Sequence, residues 1–388
     1  MKRICVITAA RAEYGLLYPV LKEIEKCKEL ELQLVVSGTH LKAEYGYTKN
    51  EIINDGFLEF DEIDIIDADG ENADVSETMS NAILRFAGYL TKKRPDIAIM
   101  LGDRYEMMAF AIALMNARVP IAHLNGGEVT GGLLDEMYRH CITKMSTFHF
   151  VNCEKHRKRV IQLGEPPQNV FNVGDTCVDN IRNTKLMSLE ELEKDLGIEI
   201  NPEKLIIVTF HPVTAENNSL EQLENMLEVI KHYDSYTYLF TKSNSDNEGI
   251  YINQRIEKFT AENADCFLVD SLGRVKYLSL LNVAVLVMGN SSSGIYEVPF
   301  FHIPTINIGN RQKDRIHGQT VIDCGSDVKE IDKAFQLSRN KDFMDQCKIE
   351  ENIFGDGHTA RKIISIIENV LQAEMSTEKS FYDVDFNI

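Results

Sequence analysis

A chain of 388 residues has room for two domains, each with a full core. Its 44% hydrophobic and 26% charged residues are those of a globular protein, and a net charge of −19 disfavours nucleic acid and anionic membrane surfaces as partners. The eight cysteines show neither CxxC nor zinc spacing, and no apolar run reaches the ~18–20 residues that cross a bilayer, so a reduced, cytoplasmic chain is expected.

In chain order, residues 3–8 (RICVIT) read as a buried strand and residues 16–26 as a helix with apolar positions at helical spacing. Residues 9–15 then form a loop at the carboxyl end of the first strand, where open α/β sheets gather ligands. That loop holds Arg11, suited to an anion, and lacks the GxGxxG of a dinucleotide site. Further strands are expected at 30–37, 60–66, 95–101, 120–124, 148–153 and 169–173, with helices at 74–90, up to 116, and from 135. Polar residues collect where these strands end. Asp103 and Arg104 follow one, Asn125 and Glu128 follow the next, and Asp135 and Arg139 sit on the helix after that. Asp135 and Arg139, four residues apart, share a helix face. Carboxylates and arginines brought together would perturb one another's pKa and supply acid and base groups.

From 175 to 201 the pattern loosens into a charged stretch that reads as a linker. A second α/β series follows, with strands at 205–210, 237–241, 266–269, 283–288, 305–308 and 320–322, and helices at 220–232 and 251–263. The alternation implies parallel, doubly wound sheets: an α/β protein of two Rossmann-like domains facing a central cleft. The domains expected are 1–175 and 176–365, with residues 366–388 a helix and tail packing back on the first.

The second half carries the strongest local pattern. Strand 283–288 runs into Gly289-Asn290-Ser291-Ser292-Ser293-Gly294 and then a helical start. Such a turn aims backbone N–H groups and a helix N-terminus at whatever lies above it, and a pyrophosphate is the natural guest. Ser291 and Ser292 add donors, Glu297 can accept the hydroxyls of a ribose, and Arg311 and Arg315 can pair with phosphate or hold Glu297. His211 follows strand 205–210 and Asn244 follows strand 237–241. Each residue also has a plain reading: Asp135–Arg139 as a helix salt bridge, Asp103 as a cap, His211 as a turn residue. Position favours function, because the polar clusters fall at strand carboxyl ends in both halves. A nucleotide-sugar or nucleotide-binding enzyme is the expectation.

An ordered series of motifs makes this more specific: RAEYG at 11–15, LGDRYE at 101–106, GGE at 126–128, DEMYRHCITKMS at 135–146, FHPVT at 210–214, GNSSSG at 289–294, NIGNRQKDR at 307–315 and GDG at 355–357. The chain resembles the UDP-N-acetylglucosamine 2-epimerases, and within them the hydrolysing branch of bacterial sialic and legionaminic acid synthesis. The resemblance implies a GT-B-like pair of Rossmann domains. It puts Ser291 and Ser292 on the diphosphate, Glu297 on the ribose, Arg11, Arg311 and His211 at the nucleotide or leaving group, and Asn244 in the site lining. Asp103, Glu128, Asp135 and Arg139 match positions at the sugar, with Arg104 and Asn125 beside them. No metal and no NAD are implied, and a homodimer or homotetramer is.

The implied reaction removes the C2 proton while UDP leaves C1, giving a 2-acetamidoglucal to which water adds. Asp103 and Asp135 are the first candidates for the proton transfers and His211 for the leaving phosphate. One departure stands out: Asn125, in HLNGG, lies where relatives often carry a glutamate, so it inherits no role as a base. UDP-GlcNAc is the favoured substrate and UDP-2,4-diacetamido-2,4,6-trideoxyglucose the alternative. RAEYG and FHPVT, in place of the GTRPE and HRRE texts of the non-hydrolysing epimerases, point to the hydrolysing branch. A glycosyltransferase or a non-catalytic sensor of the same fold is disfavoured by the motifs and by the presence of both Asp103 and Asp135.

Overall fold

The computed structural model describes residues 1–67, 74–129, 134–213, 218–243, 249–269, 272–372 and 378–385. The chain divides into two compact units, Met1–Asn180 with Phe354–Ile388, and Ile181–Ile353.

In the first unit, β1 (Lys2–Thr8), β2 (Leu30–Ser37), β3 (Asp61–Ile63), β4 (Ile97–Leu101), β5 (Ile121–Leu124), β6 (Phe148–Val151) and β7 (Val170–Asn172) make one sheet. Its order is β3-β2-β1-β4-β5-β6-β7, and every pairing is parallel. Side chains alternate across a strand, so a strand covered on both faces must be apolar at every position. β1 shows it: Ile4 and Val6 enter the core shared with helices Arg11–Lys26 and Thr359–Gln372, whereas Cys5 and Ile7 enter the core under Val75–Leu90 and Tyr105–Asn116. The order reverses on either side of β1, which opens space outside the carboxyl ends of β1 and β4.

The second unit repeats the scheme with β8 (Leu205–Thr209), β9 (Thr237–Thr241), β10 (Cys266–Val269), β11 (Leu286–Gly289), β12 (Thr305–Ile308) and β13 (Val321–Cys324). Their order is β10-β9-β8-β11-β12-β13, again all parallel, with the switch point between β8 and β11. Ile206 and Val208 face one core and Leu205 and Ile207 the other. Gly289 closes β11 at φ 137°, where an added Cβ would lie 1.9 Å from the Thr209 carbonyl oxygen, so only glycine lets β11 sit this close to β8.

Several boundaries differ from the expectation, each for a local reason. The first helix starts at Arg11, so the loop after β1 is shorter than residues 9–15. The stretch 175–201 holds two helices, Thr176–Arg182 and Leu189–Leu196; the second is secured by a capping box between Ser188 and Glu191 and by buried Leu192. The strand expected from 283 starts at Leu286, because the Val283 and Ala284 N–H groups still donate to the Leu280 carbonyl at the end of the preceding helix. The units part at 180/181 and 353/354, whereas the sequence pattern places the breaks at 175 and 365. The Asp179 carboxylate explains the difference, accepting from the N–H groups of Thr359 (2.9 Å) and Ala360 (2.8 Å) and so capping the last helix within the first unit. Among the described residues, no helix is long and apolar enough to cross a membrane.

Candidate active site

In the first unit, Gly102 at φ 89° ends β4 and turns the chain so that Asp103 and Arg104 precede the helix Tyr105–Asn116. Asp103 meets Arg139 from the helix Leu134–Met145. The Arg139 side chain is 1% exposed, and a guanidinium this deep is tolerable only when its donors are matched. One Nη donates to Asp103; the other reaches the Glu136 carboxylate at 2.7 Å and the Glu128 main-chain carbonyl at 2.9 Å. Arg139 thus ties together the end of β4, the loop after β5 and its own helix. These bonds run to Glu136 and Asp103, where the spacing suggested Asp135; Asp135 sits partly buried in the first turn of the same helix.

Asn125 and Glu128 follow β5. Asn125 adopts φ 61°, a left-handed conformation that asparagine tolerates better than most side chains. Its Nδ2 donates to Asp175 at 3.3 Å. Asn152, just after β6, donates from one Nδ2 to both Glu128 and Asp175, the latter at 3.2 Å. The His156 ring donates to Asn152 Oδ1, which fixes the amide's orientation. Burial, and then the negative charge of Asp175, pushes the Glu128 carboxyl up to about 7. A group titrating there can hold or give up a proton at neutral pH. Behind Asp103, buried His123 donates from Nε2 to the Gly102 carbonyl at 2.8 Å and accepts from the Thr143 hydroxyl at 3.3 Å; burial drops it to about 3, so it is neutral.

Two of the arginines expected at the substrate pair with the chain's own carboxylates. Arg104 grips the buried Glu106 through two bonds of 3.2 and 2.8 Å and lies 3.7 Å from the buried Glu13. Exposed Arg11 pairs with Glu51 at 2.9 Å.

In the second unit, the two loops at the switch point are stitched together. The His211 N–H donates to Asn290 Oδ1 at 2.7 Å, and Asn290 Nδ2 donates back to the His211 carbonyl at 2.8 Å. The buried His211 ring lies 3.3 Å from Ser243 Oγ through Nδ1. Arg311 (3.2 Å) and Gln312 (2.9 Å) donate to the Asn290 carbonyl. Ser291 and Ser292 are partly buried and head a helix of one turn, Ser293–Tyr296, with Glu297 at its C-cap. A single turn carries far less dipole than the longer helix expected. Ser293 accepts or donates at 2.6 Å with Tyr277 OH, and burial raises the Glu297 carboxyl against the pull of Ser293 and Arg274. Arg274 is a cation acting on Glu297, and Arg315 stacks over Tyr296 at 6.0 Å. Asn244 lies outside the described residues.

Sequence patterns missed Glu13, Glu106, Glu136, Asn152, Asp175, Arg274 and Tyr277. Asn152 and Asp175 obey the rule that located the others, since each follows a strand's carboxyl end. The remaining five lie on helices, where spacing alone does not say which side faces the site.

Comparison with known proteins points one way. A family model described as UDP-N-acetylglucosamine 2-epimerase matches residues 22–368. A Campylobacter jejuni protein named GDP/UDP-N,N'-diacetylbacillosamine 2-epimerase (hydrolyzing) is 36% identical over 99% of this chain and 99% of its own length. Polysialic acid biosynthesis protein P7 of Escherichia coli is 32% identical over 99% and 98%. A UDP-N,N'-diacetylbacillosamine 2-epimerase (hydrolyzing) of Legionella pneumophila is 30% identical over 95% and 96%. The crystal structure of UDP-GlcNAc 2-epimerase from Neisseria meningitidis bound to UDP-GlcNAc superposes with a TM-score of 0.79 at 18% identity, covering 95% of this chain and all of that one.

Proposed function

This chain belongs to the UDP-N-acetylglucosamine 2-epimerase family, and from that premise we propose that it is a hydrolysing epimerase acting on UDP-2,4-diacetamido-2,4,6-trideoxyglucose (UDP-N,N'-diacetylbacillosamine). That it is a UDP-sugar 2-epimerase follows from the family. The finer reading is carried by one observation: the 36% and 30% identical relatives are both named hydrolysing 2-epimerases of diacetylbacillosamine. This reverses the preference drawn from the motifs, which favours UDP-GlcNAc. UDP-GlcNAc remains the second reading, supported by the relative named for polysialic acid biosynthesis.

The chemistry proposed divides between the units. In the second, Ser291, Ser292 and Arg311 bind the diphosphate, Glu297 the ribose, and His211 the departing phosphate. In the first, a carboxylate, Asp103 or Asp135, takes the C2 proton. The C2–H electrons form the C1=C2 bond as the C1–O electrons leave with UDP. In the second half, Glu128 returns a proton to C2 on the opposite face while water adds to C1 and gives its proton to a carboxylate. The sum is UDP-sugar plus water to free 2-epimeric sugar plus UDP. Arg139, locked to Asp103, keeps that carboxylate aimed.

The deciding experiment measures UDP release from UDP-2,4-diacetamido-2,4,6-trideoxyglucose and from UDP-GlcNAc under identical conditions. The two sugars differ by a 4-acetamido for a hydroxyl and a 6-methyl for a hydroxymethyl. The diacetamido sugar is expected to win in kcat/KM by at least about tenfold. Preference for UDP-GlcNAc would transfer the enzyme to the second reading.

A further inference from the structure

The site contains a carboxylate that no role above uses. We propose that Asp175 is a positioning residue for the reaction: through the Asn152 amide it shares with Glu128, its fixed negative charge holds Glu128 in the acid form that donates a proton. The inference rests on the epimerase reading for its catalytic meaning and on geometry for its existence.

Asp175 is buried, and its polar groups are tied down. One carboxylate oxygen accepts from Asn125 (3.3 Å) and Asn152 (3.2 Å), and the other from the Cys177 N–H (2.8 Å). Its N–H donates to the Phe354 carbonyl at 2.7 Å, and its carbonyl accepts from the Thr359 hydroxyl at 3.2 Å. The charge therefore cannot swing away from Glu128. Asn152 presents two protons of one amide to two carboxylates, and His156 holds the amide's oxygen, so neither carboxylate can take the amide for itself. Two anions joined by a single neutral donor repel, and the cheaper arrangement leaves one of them protonated. Asp175 has three N–H donors, whereas Glu128 has the shared amide as its one side-chain donor among the described contacts, so the proton belongs on Glu128.

The other charged and titratable groups facing Glu128 are Arg139 on the helix Leu134–Met145, Asp103 after β4, and Cys153 at the start of the helix Glu154–Gln162; Arg159 of that helix donates to the neighbouring Gly127 carbonyl at 3.0 Å. Arg139 opposes Asp175, and Asp103 reinforces it. Arg139 is already matched to Asp103 and Glu136, which leaves Asp175 as the neighbour that decides.

The test follows the carboxylic C=O stretching band of the full-length protein by infrared spectroscopy across pH, with the band of Glu128 assigned by its loss in E128Q. In the unmodified protein the midpoint is expected near 7. D175N, and independently D175S, whose hydroxyl can still accept from Cys177, should lower it by about one unit. The limb of the kcat–pH profile that depends on Glu128 should move by the same amount and in the same direction, with KM little changed. A midpoint unmoved in either folded variant would overturn the proposal. Loss of folding in both would overturn it as well, because Asp175 would then be architectural. The infrared arm needs no substrate, so absence of turnover with a normal Glu128 band would indict the epimerase reading and leave this one standing.

Discussion

Replacing Arg139 by methionine keeps most of the side-chain volume and removes the charge. The structure sets the size of the effect. Arg139 is 1% exposed, and its partners Asp103 and Glu136 are 24% and 25% exposed. Removing one partner of a buried ion pair costs about 3–5 kcal/mol, and water reaching the two carboxylates puts R139M at about 3 kcal/mol. For a unit of this size that lowers Tm by about 6–12 °C. R139K restores the charge without the planar fork, so one ammonium cannot serve Asp103, Glu136 and the Glu128 carbonyl together. It should recover part of the stability and little of kcat, which falls about 100-fold or more once Asp103 loses its aim. Arg139 also draws the Glu128 proton away, so R139M should raise the Glu128 midpoint further, opposite to D175N. Thermal unfolding by circular dichroism and the rate of UDP release are the assays. An R139M protein melting within about 2 °C of the parent with kcat intact would mean that Arg139 neither holds this unit together nor aims Asp103.

Two further outcomes are expected. Burial pushes Glu13 from 4.5 up to about 7. A folded-state value above the unfolded one means the contribution of Glu13 to stability is greatest at low pH and is lost as pH rises from about 4.5 through 7. E13Q cannot ionise, so its Tm should gain on the parent across that window by the equivalent of up to about 3 kcal/mol, and a pH-independent difference would contradict the burial argument. S291A and S292A should each weaken UDP by about 1 kcal/mol, roughly fivefold in Kd by calorimetry; an unchanged Kd in the double variant would remove the diphosphate assignment.

Both halves were legible in sequence because their central strands are covered on both faces, which forces unbroken apolar runs such as Ile97–Leu101. Edges were less so: β3 has three residues, too few to show a period. The charged 175–201 stretch reads as a linker because helix Leu189–Leu196 buries only Leu192, and its capping box carries the signal that composition hides. In the site, Asp103, Asn125 and Glu128 were visible because each follows a strand's carboxyl end. Whether Arg139 turns to Asp135 or Glu136 was not, since three- and four-residue spacings both place side chains side by side and the pairing of Arg139 with Asp103 decides. The sharing of Asn152 by Glu128 and Asp175 joins residues 24 and 23 positions apart, a relation only the folded sheet creates.

Elimination followed by hydration leaves its mark in the proton NMR spectrum of the product formed in D2O. Free 2-epimeric sugar carrying deuterium at C2 is expected, with one UDP released per sugar. A product retaining its C2 proton would mean UDP leaves without C2 deprotonation, and a UDP-linked epimer would mean that water never adds; either would contradict elimination followed by hydration.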